Sequence, residues 1–133
     1  MAALSEAPSA VQAVIELVLP DLQVPTPVDL VVRWEPDGET VWISDPGDTG
    51  WAGFYAGDTC GTDLVVGFAD WLQEQVFAEA GGAWGEARPG CPGHPHPTAA
   101  RELQGAGWWV CPRDMKRIAK IGDFAALLRP AQA

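Results

Sequence analysis

The chain has 133 residues, 47% of them hydrophobic and 20% charged, which is enough apolar material for one domain with its own core and excludes a chain disordered throughout. Three cysteines are too few for a disulfide framework, and no apolar run approaches the length of a membrane span. The net charge of −10 is unevenly spread: residues 1–87 hold fifteen acids against one base (−14), residues 88–133 three acids against seven bases (+4). Such an acidic body repels nucleic acid and anionic membranes, and the nearest partner for the basic C-terminal part is that body itself.

The first ten residues carry Glu6 and no Lys or Arg, so they do not read as a secretory leader. The setting expected is cytoplasmic, with thiols free or on a metal. Ser9 and Gln12 have capping-box spacing, and Val11, Val14, Ile15, Val18 and Leu19 then follow the helical period, predicting a helix ended by Pro20. Val28, Leu30, Val32 and Trp34 alternate with their neighbours, Pro36-Asp37-Gly38 signals a turn, and Val41–Ser44 follow: a β-hairpin.

Residues 46–61 form a glycine-rich connection, in which Trp51, Phe54 and Tyr55 can pin a further short strand to the core. Thr62 or Asp63 is placed to cap a second helix with Leu64, Val65, Phe68, Trp71, Leu72, Val76 and Phe77 on one face, stopped by Gly81-Gly82. Then the texture changes. Pro89, Pro92, Pro95 and Pro97 exclude a helix. A turn at Gly105–Gly107 precedes an aromatic strand from Trp108 to Cys111 and a short strand over 117–121, and Asp123 can cap a last turn through Leu127 and Leu128. The class expected is α+β: helix, antiparallel sheet, helix, then a β-hairpin subdomain over 88–133 packed as one folding unit on a body of 1–87.

Chemistry concentrates in two turns that begin alike, Cys91-Pro92-Gly93-His94 and Cys111-Pro112-Arg113-Asp114. Sixteen residues separate His94 from Cys111, inside the window of about 15–20 that zinc-binding cysteine pairs use. Cysteine, histidine and carboxylate all ligate zinc, so the set is Cys91, His94 and Cys111 with either Asp114 or His96 as fourth ligand. Cys60 is distant in sequence, although folding can bring it near. Metal-free turns, a Cys91–Cys111 disulfide and chance in a proline-rich linker compete with bound metal.

The doubled Cys-Pro turn with two intervening residues resembles the knuckles of a zinc ribbon. The second cysteine of each usual pair is replaced here, by His94 and by Asp114. The resemblance implies two tight turns on a β-hairpin, clamped by a structural zinc ion. The wider run from Trp84 through Cys91–Pro97 to Trp109–Pro112 resembles small proteins of high-GC actinomycete bacteria, which implies a bacterial cytoplasmic setting and carries no activity with it.

Three functions compete. In the first the protein is a non-catalytic adaptor or regulator binding another protein. Trp108 and Trp109 are neighbours on a strand and point to opposite faces, so one enters the core while the other, beside Arg113, Lys116 and Arg117, can anchor a partner. The second is nucleic-acid association through the same bases with Lys120, against which the net charge stands. The third is a metal-dependent hydrolase using His94 and His96 with Glu86 as base. No nucleophile elbow, phosphate loop or deaminase signature supports an enzyme, and no catalytic residue is assigned. The carboxylates Asp45, Asp48, Asp58 and Asp63 lack the spacing of a calcium loop.

Overall fold

The computed structural model describes residues 2–24, 26–47, 50–77 and 88–127. The Gly81-Gly82 stop, the boundary at residue 87, Trp84, Glu86, Asp48 and Leu128 lie outside the described residues. Mixed helices and antiparallel sheets make the fold α+β. Among the described residues no helix is long and apolar enough to cross a membrane.

Strands β1 (Ala2–Ala3), β2 (Val31–Glu35), β3 (Thr40–Ser44) and β4 (Trp51–Tyr55) form one antiparallel sheet in that order. The hairpin turns at Pro36–Glu39, with Glu35 opposite Thr40 and Trp34 opposite Val41. Trp34, Val41 and Ile43 face the core, as their alternation dictates. The third strand of the glycine-rich connection is real: β4 pairs with β3 along its whole length. Gly53 is the residue that permits it, because a Cβ there would come within 2.8 Å of the Trp42 ring on the neighbouring strand. That indole is held in place by its Nε1–H, which donates to Glu35 Oε1 at 2.8 Å.

Helix α1 runs Ser9–Leu22, so Pro20 does not end it. The proline lacks the N–H that would bond to the Glu16 carbonyl, a bond the last turn of a helix normally keeps. Beyond it Asp21 and Leu22 are fully buried, and their packing holds the extra turn. The capping box also fails to form. Pro8 is the N-cap residue, and Gln12 turns back to donate to the carbonyls of Ser5 and Ala7. Helix α2 spans Gly61–Trp71 and continues as a wider π-type turn through Leu72–Val76. Cys60, and neither Thr62 nor Asp63, occupies its N-cap, since the Thr62 hydroxyl is drawn across to the carbonyl of Gly105. Leu64, Phe68, Ala69 and Leu72 are buried, and Phe54 of β4 meets Phe68 edge-on at 5.2 Å.

On its other side α2 packs against a second sheet of three strands, β5 (Ala99–Leu103), β6 (Ala106–Val110) and β7 (Arg117–Lys120). Its inner face carries Ala100, Trp109 and Ala119 side by side. Two small residues flank one large one, and the indole is fully buried between them. The short helix α3 (Phe124–Leu127) packs on α1 and β7. One apolar cluster includes Trp34 and Val41 of the first sheet, Leu64 and Phe68 of α2, and Trp109 and Phe124 of the C-terminal part.

Two buried polar side chains join these layers. Asp21 accepts hydrogen bonds from Trp109 Nε1 (2.8 Å), Gly122 N (2.6 Å) and Ala125 N (3.0 Å). A buried carboxylate is tolerable only when such donors replace water. Asp21, and not Asp123, therefore receives the free N–H of Ala125 in α3. Arg88, also buried, donates to the carbonyls of Leu22 and Thr26 at the end of α1.

Candidate metal centre

Both turns predicted from the Cys-Pro pairs are built alike. In the first, the Cys91 N–H donates to the His96 carbonyl (3.0 Å), and Gly90 and Pro97 bridge as antiparallel neighbours. In the second, between β6 and β7, the Cys111 N–H donates to the Lys116 carbonyl (2.8 Å). Each cysteine thus opens a loop closed five residues later. Inside the first, His94 N–H donates to the Cys91 carbonyl at 3.0 Å, and Gly93 has φ +78°. Proline at the second turn position and a positive φ at the third make Cys91–His94 a type II turn, for which Pro92-Gly93 is the favoured pair. The second loop is wider: Met115 N–H donates to the Cys111 carbonyl, and Met115 takes the positive φ of +61°.

The loops bring Cys91, His94, His96 and Cys111 together, with one potential ligand atom from each, all within 4.8 Å of one another. His94 Nδ1 lies 3.3 Å from Cys91 Sγ and 3.7 Å from Cys111 Sγ. A tetrahedral ion with zinc–sulfur and zinc–nitrogen bonds of usual length has sulfur–nitrogen edges of about 3.5 Å, so these separations match. His96 Nδ1 is 2.9 Å from the Pro97 carbonyl, which can only accept, so Nδ1 carries the proton and Nε2 has a free lone pair. That Nε2 is buried and has no hydrogen-bond partner. An orphaned buried acceptor beside two thiols is what a ligand atom looks like before its cation is considered. The carbonyl on its Nδ1–H is the usual support of a metal-binding imidazole. The donor set therefore fits one metal ion.

Both thiols are buried, and all three cysteines are free. Burial first, then the hydrogen bond and charge of Cys111, push the Cys91 thiol up. A cation bound beside Cys91 would act in the opposite direction and favour its thiolate. Cys60 is exposed at the start of α2 and is not part of this group. Asp114 is also not among the four. It stands where the second loop matches His94 of the first, but its Oδ1 accepts the Lys116 N–H at 2.9 Å. That bond, with the Cys111 thiol next in effect, lowers the pKa of this exposed carboxyl. The cluster is thus lopsided, three residues from the first loop and one from the second.

The residues expected to meet a partner divide. Trp109 is fully buried on Asp21 and offers no surface, which corrects its place among partner-binding residues. Trp108 points outward, half-buried, with the Arg117 guanidinium 5.1 Å from its ring centroid. Arg113, Lys116 and Arg117 are exposed. Among the described residues none of them forms an ion pair, and the expected docking of the basic part onto the acidic body through these groups is not seen there. Asp21 and Arg88 escaped sequence reasoning. An acid within an apolar helical stretch, right after a proline, was the signal available for the first; the second had none.

Comparison with known proteins adds no relative: no family model, no curated protein and no solved structure matches the chain.

Proposed function

We propose that Cys91, His94, His96 and Cys111 hold one structural zinc ion in a zinc-ribbon-like module, and that the protein is a non-catalytic binding protein, bacterial and cytoplasmic. The observation that carries the metal is the convergence of four donor atoms within 4.8 Å, one of them a buried imidazole nitrogen without a partner. Two thiolates and two neutral imidazoles suit zinc and not the hard cations that prefer oxygen. The thiolates also cancel the charge of a divalent ion.

Four protein ligands close the coordination shell and leave no position for a reactive water, which favours a structural role over hydrolysis. Zinc would tie two loops that contain little apolar material, so its binding energy would become folding energy. Binding as the activity is supported by the exposed cations around Trp108.

Native mass spectrometry with elemental analysis tests this on untagged protein purified without chelator. One zinc per chain, lost in Cys91→Ser and in Cys111→Ser, is expected. A metal-free protein that melts cooperatively and takes up no added zinc would refute it.

A further inference from the structure

The outer face of the second sheet is unlike the rest of the molecule. Register sets Arg101, Trp108 and Lys120 opposite one another across β5, β6 and β7. With strands about 4.8 Å apart, the two cations lie roughly 10 Å apart on either side of the indole. Arg117 stacks over that indole, and Arg113 and Lys116 extend the positive charge onto the second metal-binding loop. Among the described residues these five cations make no ion pair, although the chain carries −10 overall.

We propose that this face binds an acidic segment of a partner protein, with Arg101, Arg117 and Lys120 contacting carboxylates around Trp108. The inference deepens the binding-protein reading and rests on it, but does not depend on zinc. Charge complementarity sets the sign of the partner. The position of Arg117 sets its kind: its guanidinium lies over the half-buried Trp108 ring, 5.1 Å from the centroid, in the place a stacking nucleobase would need. An exposed arginine beside an aromatic ring can still offer its N–H groups in a two-pronged grip on a carboxylate. A nucleic acid also carries its charge along its whole length and would meet the acidic body. A short acidic segment places charge only against the cationic face, and the body lying beyond about 8 Å is screened.

The test is fluorescence anisotropy on the full chain as purified, using three labelled probes: a Glu/Asp-rich peptide, oligo-dT and a Lys-rich peptide. The Glu/Asp-rich peptide should bind saturably and more weakly as salt rises. Arg117→Glu with Lys120→Glu should weaken it about tenfold or more, and so should Arg101→Glu on the opposite strand, which guards against one misfolded variant. Arg33→Glu, exposed on the other sheet, should change nothing. Unchanged affinity in both reversals overturns the proposal. Tighter binding of oligo-dT, lost in the same variants, reassigns the face to nucleic acid. Binding of the Lys-rich peptide alone overturns this face but keeps a binding protein, and no binding of any probe overturns both.

Discussion

Trp34, Val41, Ile43, Phe68 and Leu72 lie in the body, none more than 4% exposed, and Cys91 and Cys111 lie in the two loops, buried just as deeply at 4% and 1%. The surroundings differ. In the body, apolar neighbours make burial itself stabilising, by about 25 cal/mol for each Å² removed from water. In the loops the thiols meet His94 Nδ1, and beside them His96 Nε2 is buried without a partner, so burial there leaves one polar atom unmatched. Equal burial can therefore mean an apolar core in one place and a cluster of donor atoms that could hold a metal in another.

The seam between the two regions is the sharpest place to break that contrast. Asp21→Ala removes the acceptor of Trp109 Nε1, Gly122 N and Ala125 N, each buried or half-buried. With about 1–3 kcal/mol for each of the three orphaned donors, a loss of roughly 3 kcal/mol or more is expected in urea denaturation, partly restored in Asp21→Asn. Metal removal should act on one side only. Zinc at a hundredfold excess over its Kd adds about 2.7 kcal/mol to stability, and hydrogen exchange after chelation should rise across both loops while β2 and β3 stay protected. Uniform loosening of the whole chain would show that the two regions are not held differently.

The fourth ligand is the next, smaller effect. His96→Ala should weaken zinc by about tenfold or more in competition with a chelator, whereas Asp114→Ala should keep one zinc per chain. The pH dependence should change sign with the metal. The Cys91 thiol is raised above its ordinary 9.0, so the metal-free fold is favoured below that value and loses this contribution as pH climbs through the raised one. Zinc reverses the direction, because protons compete with it for thiolates and imidazoles, and the loaded protein weakens as pH falls. Melting curves with and without chelator across pH 6 to about 10 read both slopes. Smallest of all, Arg117→Ala should cost about 0.5–1 kcal/mol through its lost stacking on Trp108.

What the residues disclosed in advance follows the same division. Period-two alternation in Val28, Leu30, Val32, Trp34, Val41 and Ile43, and the helical period after Ser9, are local signals, and both elements formed, although Val28 and Leu30 lie ahead of β2 and the helix runs past Pro20. Strand β5 was not read, because Ala99–Leu103 has no apolar alternation strong enough to announce it; its partner β6 selects it. Pro20 and Thr62 misled for a related reason. Burial of Asp21 and a hydrogen bond to Gly105 are tertiary, and they outweighed local punctuation. At the metal centre the two loops were legible from Cys-Pro spacing alone. Choosing His96 over Asp114 needed geometry: one ring turns its Nε2 inward, and one carboxylate closes its own turn.

The ligand shell itself is open to direct measurement. X-ray absorption at the zinc edge of the loaded protein should count two sulfurs at about 2.3 Å and two nitrogens at about 2.0–2.1 Å. A shell of light atoms only, or one with a single sulfur, would contradict a centre built on Cys91 and Cys111.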